Sequence, residues 1–236
     1  MLTLISLPPA LGEPSNSPFC VKAMILLEMS GLDWQPRFLR IPEGPYGKLP
    51  VLETPQGAVP DSALIQTWLE AQGADVFPGF DGAARGMAHA VMRLAEDSLR
   101  LQLVHDRWLD ARVWPQFFPH VFKDMPDGLE AKVQESQRQG MTWQGIARYS
   151  EEDRCTLAEM DLDALVAVLG EGPWLFGARP SAADASALPV LSMIDRLPGE
   201  TALRRALRAR QPLMDYVARG RETLYAPLND RIYVSG

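Results

Sequence analysis

Apolar positions in the first 80 residues fall into short, dense blocks. "LTLISL" (2–7) is apolar and stops at Pro8–Pro9, the pattern of a buried strand. A loop of Pro, Gly, Ser and Asn (8–17) follows. Residues 18–30 then turn helical, and Gly31 supplies a C-terminal stop. "WQPRFLRI" (34–41) reads as a second strand, placed near a sheet edge by Pro36. "KLPVLET" (48–54) is a third, opening at Pro50, and "GAVP" (57–60) a short fourth beyond a Pro-Gln-Gly turn. "DSALIQTWLEAQGA" (61–74) predicts a helix capped by Asp61 or Ser62, with Ala63, Leu64, Ile65, Trp68 and Leu69 on its apolar face. A strand–helix–strand crossover makes the first two strands parallel, and the hairpin adds antiparallel neighbours.

The pattern changes after "FPGFDGAARG" (77–86), a Gly- and Pro-rich stretch that reads as a linker. Residues 87–110 carry helical periodicity through Val91, Leu94, Ala95, Leu99, Leu101, Val104 and Trp108. "RVWPQFFPHVFKDMPDG" (112–128) is aromatic and broken by prolines, and 128–140 suits a polar helix. Residues 150–170 form an amphipathic helix between Ser150 and Gly170, residues 181–194 an apolar one, and two short helices fill 200–221. The fold class is therefore α/β followed by all-α: a small domain over 1–76, a linker over 77–86 and a helical domain over 87–236.

Composition narrows the function. With 47% hydrophobic and 22% charged residues the chain is globular. A net charge of −7 argues against nucleic acid as a partner. Cys20 and Cys155 make neither a disulfide framework nor a zinc set, and His89, His105 and His120 have no ligand spacing. No metal is expected, and a reduced cytoplasmic setting is the default. The N-terminus lacks a basic region and its apolar run is broken by prolines, so it makes a poor signal peptide. No apolar run of about 18 residues exists, and no membrane span is expected.

Candidate chemistry gathers at two helix starts and one proline. Ser17 before Pro18 is a common cap-and-first-turn pair, and the same geometry places a hydroxyl beside unpaired N–H groups, where an anion is stabilised. A hydroxyl there can donate to a bound thiolate and lower the thiol's pKa. Cys20, in the first turn, is either a small core residue or a thiol activated by the helix terminus. Pro50 opens a strand, and a cis bond before it would expose the N–H and C=O of Leu49, although the sequence alone does not require one. Asp61 and Ser62 either cap their helix or grip a carboxylate at its N-terminus. Trp108, Trp114, Phe117, Phe118 and Phe122 either pack the core or line an apolar pocket. "ALRRALRAR" (202–210) reads as a solvated basic face.

Together, "SPFC" at the first helix, "GKLPVLE" at Pro50 and "PDSALI" after the fourth strand resemble the glutathione transferase family. "SPFCVKAMILLEMSGL", "GIARYS" and "LGEGPWLFGARPSAADAS" are most similar to its failed-axon-connections and metaxin-like branch. The resemblance implies a thioredoxin-like N-terminal domain and a helical-bundle C-terminal one, with glutathione as co-substrate and a homodimeric state. It implies that Ser17 activates the glutathione thiol and that Leu49, before a cis Pro50, offers its backbone to the cysteinyl part. Asp61 and Ser62 would hold the γ-glutamyl end and Lys48 the glycine carboxylate. Ser181 and Asp184 would form the family's capping box, as S-x-x-D spacing allows. The implied activity is thiolate attack on a small apolar electrophile. Two alternatives stand beside it: a non-catalytic binding or scaffold protein, since several members of that branch bind rather than turn over, and a glutathione-dependent oxidoreductase using Cys20.

Overall fold

The computed structural model describes residues 1–123 and 126–234. Strands β1 (Leu2–Ser6), β2 (Trp34–Phe38), β3 (Val51–Thr54) and β4 (Gly57–Pro60) form one sheet in the order β2-β1-β3-β4. The β1–β2 pair is parallel, Leu2 opposite Trp34 and Ser6 opposite Phe38; β1–β3 and β3–β4 are antiparallel. Pro36 thus sits on an edge strand, where its missing N–H costs no ladder bond. The strands are shorter than the apolar blocks suggest: β2 ends at Phe38 and β3 begins at Val51, so residues 39–41 and 48–50 fall outside them.

Helix α1 (Pro18–Ser30) crosses from β1 to β2 and ends at Gly31, whose φ of 67° closes the last turn. Its residues 20–27 are all buried. A helix apolar on every side needs cover on every side. The sheet and α2 (Ser62–Ala71) supply part of it, and α8 (Ala182–Asp195), buried along its whole length, supplies most of the rest. The two domains therefore share one hydrophobic core running from Leu4 and Leu26 to Leu188 and Val217.

In the helical domain, α3 (Gly82–Arg93) and α4 (Arg100–Leu109) are joined without a break by a π-helical segment, Leu94–Leu99. α3 begins inside the stretch expected to be linker. The first part of that stretch also packs: Phe77 is buried, and the preceding Val76 carbonyl accepts from the Ala182 N–H at 2.8 Å. Then follow α5 (Trp114–Val121), α6 (Leu129–Gln144), α7 (Glu151–Leu169), α9 (Ala202–Arg208) and α10 (Gln211–Thr223). An eleventh helix, α11 (Ala226–Val234), was not expected; its Arg231 bonds the Glu28 carboxylate and the Trp34 carbonyl, tying the C-terminus to the small domain. Gly220 is required by packing, since a Cβ there would meet the Leu188 side chain at 2.4 Å. Among the described residues no helix is long and apolar enough to cross a membrane.

Candidate functional site

The β2–β3 loop, the start of β3 and the N-terminus of α2 converge on a cavity of about 580 Å³ at one end of the sheet. Lys48, Leu49, Pro50, Asp61 and Ser62 all line it. The Leu49–Pro50 bond is cis, and ladder pairing starts only at Val51, so the Leu49 peptide groups lie outside the sheet's own pairing. Gly44 lets the preceding loop fold back, because a Cβ at that position would meet the Lys48 carbonyl at 2.1 Å. Lys48 is exposed at the rim, beside Tyr46.

Asp61 is one of two non-glycine residues with positive φ among those described (72°). This conformation is costly for a side chain with a Cβ and persists when its surroundings hold it. Here the Asp61 N–H donates to the Pro50 carbonyl at 3.1 Å and its carboxylate accepts from the Ala63 N–H at 2.7 Å. The next residue, Ser62, is 2% exposed, and its hydroxyl makes no hydrogen bond with the described residues. A buried, free hydroxyl at a helix N-terminus is suited to an anionic group.

Ser17 caps α1 by accepting from the Cys20 N–H at 3.4 Å, and its own N–H donates to Ser15 Oγ at 3.3 Å. It is half-buried and outside the cavity wall just described, although Phe19, two residues on, is part of that wall. The reading of Cys20 as a reactive thiol needs correction. Cys20 is fully buried, in a cluster with Ile5, Leu49 and Val51, and burial pushes its thiol up against the pull of nearby Leu7, Ser6, Ser17 and Ser15. A thiol with no exposed surface does not reach a substrate.

The opposite wall comes from the helical domain and was not singled out in the sequence. Arg93, Glu96, Asp97 and Arg100 line the cavity, the middle two carried on the π-helical segment. The Lys22 ammonium, 1% exposed, meets Glu96 at 2.5 Å, and Arg93 bonds the other carboxylate oxygen. Burial lowers the Lys22 pKa to about 7. The Arg100 guanidinium stacks over Phe19 at 5.2 Å and donates through Nε to the Glu96 carbonyl. A lysine inside the apolar run "CVKAMILL" and charges at helical spacing in "RLAEDSLR" are the only traces this wall leaves in the sequence, and neither assigns it a role.

A second cavity of about 400 Å³ adjoins the first, and Leu7, Pro42 and Gln137 are common to both walls. Its lining is mostly apolar, with Pro8, Pro9, Ile41, Trp108 and Phe122 among the contributors. Of the five aromatic residues weighed for such a pocket, Trp108 and Phe122 line it; Phe117 is buried in the core, edge-on to Trp108. Asn16, beside Ser17, also lines this cavity. Its carbonyl accepts from Arg107 of α4 at 3.0 Å. Arg107 is buried over the Phe117 ring, and burial brings its pKa down to about 10. The loop between β1 and α1 is further held where Glu13 accepts from Ser192 Oγ at 2.5 Å and Arg196 bonds the Gly12 carbonyl.

Away from the cavities, Ser181 and Asp184 form a capping box at the start of α8. Asp184, fully buried, accepts from the Ser181 N–H and hydroxyl, the Leu175 N–H and the Tyr216 hydroxyl, at 2.8–3.1 Å. Burial pushes its carboxyl up while these donors pull it back.

Comparison with known proteins gives this arrangement a context. Family models for the glutathione S-transferase N-terminal and C-terminal domains match residues 18–113 and 158–220. The isoprene-epoxide–glutathione S-transferase of Rhodococcus sp. (strain AD45) is 27% identical across 94% of this chain and 98% of its own. Among solved structures, a glutathione transferase from Phanerochaete chrysosporium aligns with a TM-score of 0.61 at 21% identity, over 92% of this chain and 96% of that one. Human glutathione-S-transferase T1-1 in its apo form gives 0.62 at 16%, over 100% and 89%. Glutathione transferase F2 from Populus trichocarpa gives 0.64 at 14%, over the full length of both chains. These structures share the fold, a thioredoxin-like sheet domain against a helical bundle. The two domain matches, in the expected order and spanning more than half the sequence, carry the assignment: the chain belongs to the glutathione S-transferase family.

Proposed function

We propose that the protein binds glutathione in the cavity at the sheet end and joins its sulfur to a small apolar electrophile held in the adjoining cavity. The single observation that carries this reading is the pairing of the two cavities. One is walled by Leu49, Ser62 at the start of α2, and Lys48; the other is mostly apolar and shares three residues with it. The γ-glutamyl carboxylate lies at the N-terminus of α2, where Ser62 and the helix dipole favour an anion. The cysteinyl backbone pairs with Leu49, and the glycine carboxylate meets Lys48. Ser17 donates its hydroxyl hydrogen to the sulfur. Its oxygen accepts from the Cys20 N–H, so its capping role does not itself use the O–H. The relative that acts on isoprene epoxide suggests small epoxides as the electrophile class. A reduced cytoplasmic setting and a second copy of the chain as partner complete the reading.

A second reading, a transferase fold that binds without turnover, is favoured by one observation: the Ser17 side chain lies outside both cavity walls. Titration calorimetry with glutathione, followed by conjugation assays on small epoxides, separates the two. The transferase reading expects micromolar-to-millimolar affinity, in the usual range for enzyme substrates, weakened by Ser62→Ala and Lys48→Ala, together with thioether product. Affinity without product on any electrophile supports the binding protein, and absence of affinity removes the transferase reading and leaves a scaffold that recognises another protein.

A further inference from the structure

We infer that Gln137 is the hydrogen-bond donor that receives the oxygen of an opening epoxide, and that it sets the preference of this site for oxygen-leaving electrophiles over halides. The inference rests on the glutathione transferase reading above and deepens it.

Three residues are common to the two cavities: Leu7, Pro42 and Gln137. The side chains of the first two are apolar, so Gln137 carries the polar side-chain atoms at the junction where sulfur and electrophile must meet. It is half-buried on α6, and its amide makes no hydrogen bond with the described residues. Its neighbours on that helix do find partners: Gln134 donates to the Trp108 carbonyl at 2.7 Å, and Gln139 to Glu135 at 3.0 Å. Gln137 alone of these three glutamines faces the cavities with its donors unspent.

The chemistry calls for such a group. When a thiolate attacks a ring carbon of an epoxide, a sulfur lone pair forms the C–S bond. The C–O bond breaks, and its electrons go to oxygen. The resulting alkoxide takes a proton from water, and the hydroxide left behind is neutralised by the proton that the glutathione thiol released on ionising. Glutathione plus epoxide thus gives the hydroxy thioether with nothing left over. Negative charge develops on an oxygen beside apolar walls, where a fixed donor stabilises the transition state more than the ground state. Attack on an alkyl iodide instead expels a large, diffuse anion that gains little from a neutral amide donor.

The test compares 1,2-epoxybutane with 1-iodobutane, each with glutathione, on the wild type and on Gln137→Leu and Gln137→Lys. The quantity read is the ratio of the epoxide rate to the iodide rate, which cancels any loss of folded protein. Gln137→Leu is expected to lower this ratio roughly 10- to 100-fold, up to the range of other oxyanion donors. Gln137→Lys, which restores a donor, is expected to recover most of it. An unchanged ratio in Gln137→Leu, or a wild type that conjugates the iodide but no epoxide, overturns the assignment to Gln137 and leaves the transferase reading standing. A wild type that conjugates neither electrophile overturns the transferase reading itself.

Discussion

Replacing Ser17 by alanine separates its two jobs, capping α1 and donating to the glutathione sulfur. The cap is a single bond to the Cys20 N–H at 3.4 Å, long for its kind. Its loss is expected to cost about 1 kcal/mol, or roughly 2–4 °C in Tm for a chain of this size. A hydrogen bond to a thiolate is charge-assisted and contributes about 1.5–3 kcal/mol, so its removal raises the bound thiol's pKa by about 1–2 units. Well below that pKa the thiolate fraction falls about 10- to 100-fold. The more basic thiolate is also the better nucleophile, with a Brønsted slope of about 0.4–0.5, which returns part of the loss. The net expectation at about pH 6 is a roughly 3- to 16-fold slower conjugation, while at about pH 9.5 the variant equals or exceeds the wild type. Initial rates across this range, with the ultraviolet absorbance of the thiolate as an independent titration, would show crossing profiles. Parallel profiles, or a Ser17→Ala variant whose thiol titrates like the wild type's, would refute the role and favour a binding protein.

Two further outcomes are expected. Asp184→Ala leaves the buried donors of Leu175, Ser181 and Tyr216 without acceptors; a loss of about 3–5 kcal/mol, or roughly 6–20 °C in Tm by scanning calorimetry, is expected, and a shift under about 2 °C contradicts the network described. Lys22, depressed by burial to about 7 in the fold, returns to its ordinary value near 10.5 when unfolded, so between these values the unfolded chain binds more protons and stability rises with pH. Lys22→Met, with Arg93 still on the Glu96 carboxylate, is expected to flatten that rise in urea unfolding at about pH 7 and pH 9.

Local signals in the sequence reached much of this. Ser17–Pro18, Gly31, Asp61–Ser62 and Ser181–Asp184 mark helix ends through short-range chemistry that few tertiary contacts override, and they lie where the spacing put them. Pro36 identified an edge strand for the same reason. The opposite wall escaped because its determinants are not local. The π-helical segment has no composition of its own, so residues 87–110 read as one uniform helix while Glu96 and Asp97 turn toward the cavity. Cys20 reads as core residue or as nucleophile until the sheet covers it. Gln137 lies in a polar stretch, "VQESQRQG", where nothing distinguishes a cavity-lining glutamine from a solvated one.

The loop between β1 and α1 is moored at three points to the helical domain, through Asn16 to Arg107, Gly12 to Arg196, and Glu13 to Ser192. Its sequence belongs to one domain and its shape to the other. The two halves of this chain are thus poor modules for recombination. A hybrid that joined residues 1–76 to a foreign helical domain would inherit the Leu49, Asp61 and Ser62 wall intact, because the sheet and α2 build it. It would not inherit the posture of the segment leading into Ser17, whose fastenings stay behind with the discarded partner. Mutational drift at Arg107, Arg196 or Ser192 is constrained by a loop about 90 or more residues away in the chain.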